Sequence, residues 1–210
     1  MHTERPILFS DSMVRALLDG SKTQTRRVMK PQPRLEGNQW HWREYEWNSG
    51  KRHPVDVYDF NPNLAPFGSL YGSLKPCPYG KPGDKLWVRE AWRWASSEHD
   101  IAPAIFKVRT VDAEHRTRWK SAIHMPRSIC RILLEITHVR VERLWGITEA
   151  DALAEGMASM MRGCTRYDGE ATDLFIDVWE KLHGPGSWSV NPWVWVIQFK
   201  KAIPDREGMA

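Results

Sequence analysis

Cysteine is scarce: three residues in 210, Cys77, Cys130 and Cys164, are odd in number and widely spaced, which excludes a disulfide framework. None belongs to a CxxC pair, so no zinc site is suggested, and free thiols in a reducing compartment are expected. No apolar run approaches the roughly 20 residues of a membrane span, and the opening MHTERPILFS lacks the long apolar stretch of a secretory signal. A cytoplasmic protein without a membrane partner is therefore expected. GxGxxG, Walker, HExxH and GxSxG sequences are all missing, and neither an internal repeat nor a heptad is visible. No cofactor and no metal is called for.

A strong excess of one charge is missing too. Lys plus Arg number 30 against 26 Asp plus Glu, and a net charge of +4 does not by itself establish a nucleic-acid partner. The distribution says more. Lys22, Arg26, Arg27, Lys30 and Arg34 fall in one stretch without an acid, and His115, Arg116, Arg118 and Lys120 form a second basic run. Twelve tryptophans are far above ordinary usage, and such rings either fill a core or stack on bases. Most suit a core; Trp40, Trp42 and Trp47 stand among polar residues in a segment without a clean period.

The length favours one domain, expected over residues 1–202 with an irregular insertion at about 31–82 and a disordered tail at 203–210. Ser10 caps a short helix at about 11–19, which Gly20 stops. Thr23 to Met29 suits a strand ended by Pro31 and Pro33. From 31 to 82 prolines, glycines and asparagines leave little period beyond a local hairpin. The turn Gly83-Asp84 opens a strand from Lys85 to Trp94, and another follows at Ala104 to Thr110. Ile129 to Leu144 reads as one long strand or a bent pair, and its apolar parity changes between Ile136 and Val139, which calls for a bulge or kink near Thr137-His138. Thr148, with Asp151 at capping-box spacing, starts a helix Glu149 to Glu155 that Gly156 stops. A helix from Thr172 to Leu182 buries Leu174, Phe175, Val178, Trp179 and Leu182. The strand Pro192 to Lys200 is apolar on both faces and must be interior. Short strands with few helices point to an α+β fold, a small mixed or closed β-barrel with peripheral helices. His124 and His138 are read as packed or surface residues.

What remains distinctive is Gly20-Ser21-Lys22-Thr23-Gln24-Thr25-Arg26-Arg27 together with Ile147 to Gly156, ITEADALAEG. A helix, GxKxxT and a basic strand, then Gly83-Asp84 with an apolar strand, a capped helix ending Ala-Glu-Gly and a closing WVWVIQF strand resemble the ASCH family. The correspondence covers about 5–30, 83–94, 130–156 and 192–200, and is nearest to the longer, Trp-rich ASCH proteins of bacteriophages and prophages. The resemblance implies a PUA-like β-barrel, a role with RNA or a modified nucleoside, and, for a phage-encoded chain, the bacterial host cytoplasm. It also implies one of two activities: hydrolysis of an N4-acetylcytidine-type amide, whose residues fall on Lys22, Thr25 and Glu155, or ribonuclease action.

The trio makes chemical sense. A threonine hydroxyl attacks only when a base takes its proton, and a lysine serves when burial and positive neighbours lower its pKa. Arg26 and Arg27 are such neighbours, Glu155 is placed to orient Lys22 or to shuttle a proton, and Arg26 is assigned to an oxyanion or a phosphate. Arg27, Lys30, Trp87 and Arg89 complete the expected binding set. Because residues i and i+3 of a strand face opposite ways, Lys22 must lie in the turn before the strand or on a bulge to meet Thr25. Other readings stay open: a non-catalytic module for RNA or single-stranded DNA, or a phage accessory protein whose insertion binds a host protein. The oligomeric state is not legible.

Overall fold

The computed structural model describes residues 2–36, 39–48, 51–60, 77–94, 104–109, 118–162 and 169–202, and of 34–60 it gives strands and register alone. In chain order these form β1 (Glu4–Leu8), α1 (Asp11–Leu18), β2 (Gln24–Val28), β3 (Arg34–Glu36), β4 (Gln39–Asn48), β5 (Lys51–Phe60), β6 (Lys85–Arg89) and β7 (Trp92–Trp94). There follow β8 (Ala104–Phe106), β9 (Leu133–Arg143), α2 (Glu149–Ala154), α3 (Met157–Arg162), α4 (Ala171–His183) and β10 (Trp193–Lys201). No helix among the described residues is long and apolar enough to cross a membrane.

A five-stranded mixed sheet in the order β1-β6-β9-β10-β2 organises the chain; β1 and β6 run parallel and the other pairs antiparallel. β10 lies inside it because both of its faces have apolar surface to bury. Trp193, Trp195, Ile197 and Phe199 join Ile7, Phe9, Leu86, Val88, Leu134 and Val139 in one core. Val194 and Val196, on the opposite face, pack with Ala152 of α2 and with Phe175 and Trp179 of α4 in a second core. The bulge in β9 falls where the parity required it: Gln198 pairs with His138 and Phe199 with Ile136, leaving Thr137 over. Leu134, Ile136 and Val139 thereby all reach the first core.

Among the described residues the sheet does not close into a barrel. Its edges β1 and β2 share no ladder, yet they approach at one end, where the Arg27 guanidinium donates to the Leu8 carbonyl oxygen at 2.7 Å. A side chain spans the gap that a backbone ladder would fill. The mixed α/β architecture with few helices is therefore as expected, and closure is not.

Other expectations need correction. The 85–94 strand is two strands in two sheets, separated at Glu90, a buried carboxylate committed to Arg131 at 2.7 Å. The stretch after Pro33 holds more order than the expected local hairpin, since β3 joins the β4–β5 hairpin in an antiparallel sheet. The aromatic residues of β4 alternate as 40 and 42, then 45 and 47, and the register shifts between Glu44 and Tyr45, where that parity changes. A single bulge hid the period. Leu182, in the last turn of α4, is exposed rather than buried, while β1 and α3 escaped notice altogether. β1 alternates poorly around Pro6, and α3 starts directly after the Gly156 stop signal. The predicted disordered tail at 203–210 and Cys164 lie outside the described residues. Cys77 and Cys130 are thiols, and burial pushes Cys77 up to about 11.

Candidate active site

The site is built where α1, β2 and α2 meet. Ser10 caps α1 by accepting from the Met13 amide, and Gly20 at φ +83° turns the chain toward β2. Lys22 lies in that turn, ahead of β2, rather than on a bulge. Its amide donates to the Ala16 carbonyl at 2.9 Å, its backbone bridges to Glu155, and the Thr23 amide donates to Ala154 O at 2.9 Å. On the other side Thr148 and Asp151 close a complete capping box, so α2 starts at a fixed point and delivers Glu155 as its last, capping residue.

Gly156 lets these segments touch. It sits at φ +100°, and a Cβ there would stand 2.8 Å from the Ala16 Cβ and 3.2 Å from the Lys22 Cβ. Gly156→Ala is expected to destabilise the chain by about 2–4 kcal/mol, from left-handed strain and overpacking together. Urea unfolding measures this; a loss under about 1 kcal/mol would mean that α1 and Lys22 yield freely there.

Lys22 and Glu155, 133 positions apart in the chain, are in direct contact. The Lys22 ammonium donates to Glu155 Oε2 at 3.1 Å, to Glu155 O at 2.7 Å and to Gln24 O at 2.8 Å, which engages all three of its hydrogens. Both side chains are buried, at 0% and 5% exposure. Burial pushes the lysine below its ordinary value; Glu155 opposes this, while Arg27 and Arg26 add to it. Thr25 is buried on the face of β2 that pairs with Ile197 and looks into the first core. Among the described residues its hydroxyl has no hydrogen-bond partner.

The two arginines are not equivalent. Arg26 points to the opposite face, where it donates to Glu142 Oε1 and to Glu155 Oε1 (3.2 Å) and lies 3.2 Å from Asp151 Oδ2. It is committed to three carboxylates, so the assignment of an oxyanion or phosphate to it is corrected. Arg140 and Gln24 complete that network by donating to Asp151 Oδ1 at 2.9 and 3.0 Å. The Gln24 hydrogen bond and the Arg26 charge outweigh burial and hold the Asp151 carboxyl far below its usual range.

Arg27 shares the Thr25 face. Its guanidinium lies over the Phe9 ring at 5.3 Å, and the Lys22 ammonium is 5.4 Å from the same ring. Apart from Leu8 O it has no described hydrogen-bond acceptor, and its Nε is buried without a partner. Burial lowers its pKa against the opposing influence of Tyr79 and Glu155. Lys22, Arg26, Arg27 and Arg140 face Glu142, Asp151 and Glu155, so one positive charge is left over, and among the described residues Arg27 is the cation of this group without a carboxylate. The remaining predicted residues stand apart. Lys30 is exposed, and Trp87 and Arg89 stack on each other at 4.7 Å, on the face of β6 opposite Leu86 and Val88. Among the described residues none of these three contacts Lys22, Thr25 or Glu155. Phe9 and Tyr79 were missed; each is an isolated aromatic next to a loop, and nothing local in the sequence marks it.

Among the described residues no group of three or more His, Cys, Asp or Glu side chains converges as metal ligands would. Comparison with protein-family models, with curated proteins and with solved structures gave no match.

Proposed function

We propose that this chain is an ASCH-type protein with a PUA-like, partly open barrel, and that it hydrolyses an N4-acylcytidine-type amide of a nucleoside or RNA base at the mouth between β1 and β2. The observation that carries the reading is the buried contact of Lys22 with Glu155, with Thr25 buried three residues after Lys22 in the same segment. The approach of β1 to β2 through Arg27 supports the barrel-like part of it.

In this reading Lys22, its pKa lowered by burial, has lost its proton to solvent, and the neutral amine, oriented by Glu155 3.1 Å away, takes the Thr25 proton as Oγ1 attacks the acyl carbon. Arg27 holds the developing oxyanion, which is the anion its surroundings lack. The C–N bond breaks as Glu155 relays the Thr25 proton from Lys22 to the leaving exocyclic amine, and water hydrolyses the acyl-threonine ester to regenerate the Thr25 hydroxyl. Arg26 acts from behind, fixing the Glu155 carboxylate.

A binding-only reading has its own observation. Three acceptors on the Lys22 ammonium suit a permanently charged, structural lysine. Incubating the purified chain with N4-acetylcytidine, its 5′-phosphate and an acetylated oligonucleotide, and following cytidine release, separates the two. Hydrolysis is expected from the parent chain and not from Lys22→Ala, Thr25→Ala or Glu155→Ala. If the parent releases nothing from any of the three, the catalytic reading fails; if all three variants keep the parent's rate, the site is misassigned.

A further inference from the structure

The second basic run of the sequence stays outside this site, and the fold brings part of it against tryptophans. Residues 118–120 lie along β7: Lys120 N donates to Trp92 O at 2.8 Å and Trp92 N to Lys120 O at 3.3 Å. That pairing sets the Lys120 ammonium 5.0 Å from the Trp92 ring and the Arg93 guanidinium 5.4 Å from the Trp119 ring. Trp92 is 3% exposed and rests on Ala104 and Met125, so it serves as a base plate. Trp94 stands edge-on to it, centroids 4.8 Å apart, and is 46% exposed.

Charge and shape then select the partner. Arg118 and Lys120 are exposed, and no carboxylate pairs with either among the described residues. Glu90, just before β7, is taken up by Arg131. An exposed indole flanked by unneutralised cations matches an unpaired base joined to phosphates, since every base offers a ring face to stack and a backbone charge beside it. A duplex keeps its base faces hidden, and an acidic peptide has no use for the ring.

We infer that β7 and residues 118–120 form a surface for single-stranded nucleic acid, with a base stacked on Trp94 and phosphates on Lys120 and Arg118. It shares no described contact with Lys22, Thr25 or Glu155, and it stands independently of the hydrolytic reading.

Fluorescence anisotropy with short labelled single-stranded RNA and DNA tests it on the full chain. The parent is expected to bind with an affinity that falls as salt rises. Trp94→Ala is expected to weaken binding about tenfold, while Trp94→Phe keeps most of it. Arg118→Ala with Lys120→Ala should flatten the logarithmic salt dependence by about 0.7 for each of the two phosphates no longer neutralised. These are surface changes, and an unaltered Tm shows that the fold is intact. Parent affinity in Trp94→Ala, an unchanged salt slope in the double variant, or no binding by the parent overturns the inference. So does loss of oligonucleotide binding in Lys22→Ala with Trp94→Ala unaffected, because the strand would then run through the other site. Cytidine release by Trp94→Ala at the parent's rate is the expected sign that the two sites are separate.

Discussion

Glu155→Ala is expected to cost about 3–5 kcal/mol of stability, because it strips the buried Lys22 ammonium of its one described carboxylate and the buried Arg26 of one of its three. Lys22 and Arg26 both have side chains of 0% exposure, and the Glu155 carboxylate meets one through Oε2 and the other through Oε1. Without it no other described acid lies against the Lys22 ammonium, which keeps only two carbonyl acceptors. Lys22→Met should be milder, about 1–3 kcal/mol, because the carboxylate left behind still has Arg26. The order of the two, more than either value, identifies Glu155 as the hub. Urea denaturation of both variants, read as a shift in midpoint at constant slope, measures it. A larger loss in Lys22→Met than in Glu155→Ala would place the hub elsewhere.

How far this hub was legible in the chain differs residue by residue. Gly20, the Thr148-Asp151 spacing and Gly156 are local signals with local causes, and each does what its spacing implied. The double-sided β10 and the bulge of β9 were legible for a similar reason, since alternation is a statement about which face is buried. The difference between Arg26 and Arg27 was not. Adjacent residues of one type carry no sign of which face meets carboxylates, and the acids on Arg26 come from β9, α2 and the cap after α2. Only the register of β2 against β10, Arg26 opposite Val196 and Arg27 opposite Trp195, separates a neutralised arginine from an open one. The barrel expectation stopped short at the same place. Closure depends on whether β1 and β2 pair, and no pattern within either strand announces that a side chain takes the ladder's place.

The same division gives the chemistry a pH signature. If neutral Lys22 is the base, kcat/KM for an acylcytidine should rise with pH through the lysine's pKa, which burial sets below the ordinary 10.5. The direction is fixed by role: the base works deprotonated, so the acidic limb is the slow one. Lys22→Arg should lower the rate by about a hundredfold to ten-thousandfold, because a guanidinium gives up no proton in this range. Whatever rate remains in Lys22→Arg should be flat with pH over the limb where the parent rises. Thr25→Ala should lose at least about a thousandfold, as it removes the nucleophile itself. Thr25→Ser should keep a measurable part of the activity and the same rising limb, since the hydroxyl and its base both survive. A parent profile that falls as pH rises, or a Lys22→Arg profile with the parent's shape, would show that Lys22 acts as a fixed charge. The three acceptors on its ammonium would then be its whole function, and the site would hold its ligand without cutting it.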